Sequence, residues 1–184
     1  MKMIATLFIV FAVASSALGQ CPVPTPVSGA DRMVFKIAGR WYEIAGPTHN
    51  LTCVTMDFTP REDGNFNYTT LGAESDGTKF SENLLAIRTD NQNSFNVSDL
   101  STNSTSQITY YIANTDYDNF LTFYVCVYLP GYSNFLSGFI LSRTNSMSDG
   151  DVYKLKNLLV NTYGVPSDRL GVITQKGCKY WPVA

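Results

Sequence analysis

The chain has 184 residues, room for one ordinary domain, with a charged fraction of only 15% and an aromatic fraction of 13%. Lys and Arg number 13 against 15 Asp and Glu, a net charge of −2, which excludes a basic nucleic-acid binder and strong attraction to an anionic membrane. The single histidine, His49, removes most histidine-based catalysis and most metal sites.

Residues 1–19 read as an address rather than structure. Lys2 supplies a positive start, 4–14 is an apolar run, and Ala17-Leu18-Gly19 offers small residues for cleavage. The run is shorter than the roughly 20 residues that cross a bilayer, so a removed signal peptide is expected, with no transmembrane segment. Residues 20–184 contain no repeat or low-complexity linker and read as a single domain of a secreted, extracellular protein. Four cysteines remain there, Cys21, Cys53, Cys126 and Cys178, an even number that implies disulfides in any of three pairings. None is spaced as CxxC, which disfavours a zinc ribbon. Sequons at Asn50, Asn67, Asn96 and Asn103 point to the same compartment and to a glycoprotein.

From residue 40 onward, short β-like runs alternate with turn signals. The run 40–46 stops at Gly46-Pro47, 53–58 stops at Pro60, and Glu62-Asp63-Gly64-Asn65 leads into 66–71. Asp76-Gly77 then separates that run from 79–88, a strong hairpin signal. A weak strand at 94–97 precedes strong ones at 107–113, 120–129 and 135–142, rich in Tyr, Phe, Val and Ile. Eight strands before any helix predict an antiparallel sandwich or barrel. Ser148 and Asp151 then resemble a capping box, and Val152, Leu155, Leu158, Leu159 and Tyr163 form one apolar stripe. Gly164 and Pro166 stop that helix, and 170–174 offers one more short strand. An amphipathic helix after eight strands must lie on the outside of the sheet.

Three elements in this order resemble the lipocalin signatures. Gly39 and Trp41 stand on the first strand as GxW, Thr115-Asp116-Tyr117 stands between the sixth and seventh as TDY, and Arg143 ends the eighth. The chain is most similar to the apolipoprotein D, insecticyanin and bilin-binding group. The resemblance implies an all-β, eight-stranded, antiparallel up-and-down barrel with one C-terminal helix packed outside and a short ninth strand. It also implies the pairs Cys21–Cys126 and Cys53–Cys178. Each would close a loop of more than a hundred residues, worth about 4.7 kcal/mol in the chain-entropy model. Trp41 is then expected to plug the closed end with Arg143 stacked over its indole, and Asp116 and Tyr117 to organise a turn.

Catalysis finds little support. There is no GxSxG elbow, the lone His sits in a polar loop, and the disulfides would consume every cysteine. The expectation is a protein that is not an enzyme and needs no metal or cofactor. Its partner would be a small hydrophobic ligand (a lipid, sterol, retinoid or similar) bound inside the barrel for transport or sequestration. Two alternatives stay open: a chromoprotein holding a bilin or carotenoid, and a secreted glycoprotein acting through protein contacts. A homodimer or a receptor contact is also left open.

Period two, anchored on Trp41 inward, puts Glu43 and Ala45 inward on the first strand. Arg143 over Trp41 puts Phe135, Ser137 and Phe139 inward, and an outward Cys126 puts Leu121, Phe123 and Val125 inward. The resemblance adds Tyr110 and Ile112. These ten residues are the expected ligand-binding lining. The outer face of strand eight would be Leu136, Gly138 and Ile140, a notch for the helix. The register of strands two to five is open, and with it the direction of Lys79 and Arg88.

Overall fold

The computed structural model describes residues 21–28, 33–47, 51–101, 108–127 and 135–182. The proposed signal peptide, His49, Asn50 and Asn103 lie outside them.

The strands are β1 (Gly39–Gly46), β2 (Thr52–Pro60), β3 (Phe66–Ala73), β4 (Lys79–Arg88), β5 (Ser94–Asp99), β6 (Ile108–Thr115), β7 (Phe120–Val127) and β8 (Phe135–Ser142). Each pairs antiparallel with the next, and β1 pairs with both β2 and β8, so the sheet closes on itself as an eight-stranded barrel. Closure removes every edge inside the ring. The Asp76-Gly77 turn forms as its sequence implies: Asp76 Oδ1 accepts from the Thr78 N–H at 2.9 Å, and the Glu74 N–H reaches the Thr78 carbonyl at 2.9 Å.

One short helix precedes the barrel, α1 (Met33–Lys36), against the expectation that strands come first. A single turn is too short to show a helical period in sequence. It matters for packing, because Met33 and Ile37 are fully buried with Trp41, Phe58, Phe66 and Phe95 at one end of the barrel.

The late helix, α2 (Asp149–Tyr163), is capped by Ser148, whose Oγ accepts from the Asp151 N–H at 3.2 Å. Its apolar stripe lies outside the barrel, with Leu155 and Leu159 buried and Val152, Val160 and Tyr163 beside them. Leu158, expected in that stripe, is half-buried outside this cluster, and Val160 takes the place. Gly138 on β8 makes the contact possible. A Cβ there would lie 2.9 Å from Leu170 and 3.1 Å from both Leu159 and Val165. The predicted notch is real, and it is filled.

The last strand shrinks to β9 (Gly171–Val172), pairing with β1 outside the ring. Beyond it, the buried Gln175 side chain donates to the carbonyls of Glu43 and Val54, both at 2.8 Å. The β1–β2 ladder runs only from Gly39↔Phe58 to Tyr42↔Thr55, so this one amide bridges the seam above the ladder's end. Disulfides join Cys21 to Cys126 and Cys53 to Cys178, the pairing that the resemblance implied. The first pins the N-terminal segment to β7, and the second ties the C-terminal segment to β2.

Candidate ligand cavity

The closed end explains the signature residues. Trp41 is fully buried and its Nε1 donates to the Ile37 carbonyl at 2.8 Å. The Arg143 guanidinium lies 3.7 Å from the indole centre and donates to the carbonyls of Ala38 (2.9 Å), Arg40 (3.1 Å) and Lys36 (3.0 Å). Gly39 stands against it, with space for a Cβ at 3.6 Å from Nη1. Thr115, Asp116 and Tyr117 hold the β6–β7 turn. Asp116 Oδ1 accepts from the N–H groups of Asn119 (2.8 Å) and Phe120 (2.9 Å), and Thr115 Oγ1 donates to the Phe120 carbonyl at 2.7 Å. The Tyr117 hydroxyl reaches the Ser28 carbonyl at 2.7 Å. All of this is architecture at the packed end.

The other end is hollow. A cavity of about 810 Å³ is walled by Glu43, Val54, Met56, Tyr68, Thr70 and Phe80, continued by Glu82, Leu84, Tyr110, Val125, Ser137 and Phe139. Its mouth is bordered by Pro47, Leu51, Glu74, Ile108, Phe135, Asp168 and Arg169. The size falls in the range of roughly 300–1,000 Å³ typical of small-molecule sites, so the barrel interior is not simply filled by its own core.

The ten residues expected in the lining divide by depth. Glu43, Tyr110, Val125, Phe135, Ser137 and Phe139 border the cavity, with Phe135 at the mouth and 40% exposed. Ile112, Leu121 and Phe123 do point inward, but they belong to the packed end and border only a residual void of about 20 Å³. Phe123 stacks on Phe139 at 4.5 Å, and Tyr110 stacks on both at 5.4 and 6.2 Å. This aromatic tier divides the open half from the packed half. Ala45 is a correction: it packs outside with Ile44 and Ile140. The β1–β8 register shifts between Glu43 and Ala45, so a bulge breaks the alternation that placed it inward.

Sequence parity missed the walls on β2, β3 and β4, where no anchor residue fixed the register. Phe80, Glu82 and Leu84 alternate along β4 into the cavity, which leaves Lys79 and Ser81 exposed outside. Arg88 lies at the far end of β4, paired with Phe95 of the packed half.

Polar chemistry in the cavity concentrates on three groups. Glu43 is 2% exposed and Tyr68 and Ser137 are nearly as buried, yet Glu43 Oε1, Tyr68 Oη and Ser137 Oγ make no hydrogen bond within the protein. Among the described residues these are the buried side-chain oxygens and nitrogens left without partners. All three face one cavity. Gly46 makes room for the carboxyl, since a Cβ there would fall 1.8 Å from Glu43 Oε1. Burial pushes the Glu43 carboxyl up to about 8. Glu82 is also raised, by burial first and then by the charge of Asp99. Burial holds both the Tyr68 and Tyr110 phenols above their ordinary value. Among the described residues no His, Cys, Asp and Glu cluster could hold a metal ion, and every cysteine is in a disulfide. No helix there is long and apolar enough to cross a membrane.

The family model for the lipocalin / cytosolic fatty-acid binding proteins matches residues 38–177. This chain belongs to that family. Solved structures agree on the fold. Insecticyanin from the tobacco hornworm Manduca sexta superposes with a TM-score of 0.68 at 18% identity, covering 88% of this chain and 90% of that one. Lobster apocrustacyanin A1 gives 0.66 at 19% identity over 85% and 91% of the two chains. The cockroach allergen Per a 4 gives 0.61 at 20% identity over 85% and 95%. This lipocalin shares their calyx, and what its own cavity holds is decided by its own lining.

Proposed function

We propose that this lipocalin is a secreted carrier or sequestering protein that holds one small hydrophobic ligand in the 810 Å³ cavity. The observation that carries this reading is the pairing of an apolar, aromatic wall with three buried polar atoms that lack protein partners. A buried polar group without a partner costs on the order of 1–3 kcal/mol, and a ligand's polar end would relieve that cost. In this reading the protein acts by binding, which the aliphatic and aromatic wall of the cavity supports.

The leader-like residues 1–19, the two disulfides and the sequons support secretion. Asn67 and Asn96 support glycosylation. They stand half-exposed on β3 and β5, alternating with the inward Phe66, Tyr68, Phe95 and Val97. Displacement of an environment-sensitive apolar probe, followed by mass spectrometry of material extracted from native protein, tests the carrier reading. Saturable uptake and a co-purifying lipophile support it. Visible absorbance of the native sample would make that lipophile a bilin or carotenoid pigment, and absence of any uptake by folded protein overturns the reading.

A further inference from the structure

Resting on that carrier reading, we propose that the cavity selects a lipophile whose polar end donates hydrogen bonds and carries no negative charge, an amine or alcohol rather than a carboxylate.

The first support is the balance of charge. Four carboxyl groups line or border the cavity: Glu43, Glu74, Glu82 and Asp168. Among the described residues, the one basic group in the lining is Arg169, at the mouth, with its guanidinium 4.7 Å over the Phe135 ring. The basic residues of β4 do not alter this, because Lys79 faces solvent and Arg88 belongs to the packed half. A carboxylate head seated deep in this space would find no cation to pair with, since Arg169 stays at the mouth, and a buried unpaired charge is costly.

The second support is independent of net charge. Glu43 Oε1, Tyr68 Oη and Ser137 Oγ are buried acceptors without partners, all facing the cavity. A hydroxyl or ammonium head can donate to any of them. A carboxylate head only accepts, so it could use the two hydroxyls, and Glu43 only while that carboxyl keeps its proton. The predicted order is amine first, alcohol next, carboxylate last.

The test uses the intact secreted protein at pH 7.4, loaded with a neutral apolar fluorescent probe and titrated with dodecylamine, dodecanol and dodecanoate. The amine and the alcohol should each displace the probe at least tenfold more effectively than dodecanoate. Glu43→Gln should shrink the amine's advantage over dodecanoate, read as the ratio of the two displacement midpoints within that variant. Dodecanoate competing as well as dodecylamine in protein that takes up the probe would overturn this inference and leave the carrier reading standing. Folded protein that takes up no probe would overturn both.

Discussion

The guanidinium of Arg143, on the chain just past β8, lies 3.7 Å from the centre of the Trp41 indole on β1. The same guanidinium donates to the carbonyls of Lys36, Ala38 and Arg40, so one side chain gathers α1, the approach to β1 and the barrel floor. Trp41→Ala should destabilise by about 3–5 kcal/mol as a large-to-small core change. Arg143→Ala should cost about 2–3 kcal/mol through the lost stacking and carbonyl contacts. Urea titrations of the two single variants and the double variant should show a coupling of about 1 kcal/mol or more. Strict additivity would contradict the stack.

Glu43 supplies a pH dependence with a definite sign. Its carboxyl keeps a proton up to about 8 in the fold, against an ordinary value of 4.5. Between those values the folded protein binds more protons than the unfolded chain, so this group's contribution to stability falls as pH rises through the window. Glu43→Gln should flatten that slope and raise the stability of ligand-free protein at pH 8 by about 1–3 kcal/mol. Glu82 is shifted in the same direction, but it is common to both proteins and cancels in the comparison. Denaturation series at pH 5, 6.5 and 8 provide the check, and parallel slopes for the two proteins would refute the assignment.

The notch at Gly138 makes a claim about the outer layer alone. Gly138→Val places carbon where Leu159, Val165 and Leu170 already pack, and should destabilise by about 1–3 kcal/mol. Probe uptake by the folded fraction should be unchanged, because the crowding lies outside the barrel. Loss of uptake without loss of stability would show that β8 has been read on the wrong face.

The disulfides can be checked chemically. Non-reducing peptide mapping should recover Cys21 with Cys126 and Cys53 with Cys178. Replacing Cys53 and Cys178 together by serine should cost about 2–5 kcal/mol and free the C-terminal segment from β2.

Much of this was legible in the sequence because it follows from alternation. All eight barrel strands, the cap at Ser148 and the notch at Gly138 are written in local pattern, and the signature residues anchor which face is which. Parity assigns a face but not a depth. Phe123 and Phe139 both point inward, yet Phe123 lies in the packed half and Phe139 on the cavity, a distinction set by how strands stagger around the barrel. Ala45 was misplaced because a bulge leaves no mark on an apolar run such as Ile44-Ala45. Tyr68 and Glu82 escaped notice because nothing in β3 or β4 resembles an anchor. Tyr124 points outward as parity requires, but it is 0% exposed, stacked between Tyr111 and Tyr163 beneath α2. It belongs to the core between the barrel wall and the helix.

The most direct measurement is uptake of a neutral apolar fluorescent probe by wild type, Phe139→Asp and Ser81→Asp. Phe139 borders the cavity from the aromatic tier, whereas Ser81 faces solvent between the cavity-lining Phe80 and Glu82. Wild type and Ser81→Asp should bind one probe per chain with matching affinity. Phe139→Asp should bind at least tenfold more weakly while keeping its far-ultraviolet circular dichroism, because a carboxylate now sits against the apolar guest. Undiminished uptake by folded Phe139→Asp, or loss of uptake in Ser81→Asp alone, would contradict a ligand site inside the barrel.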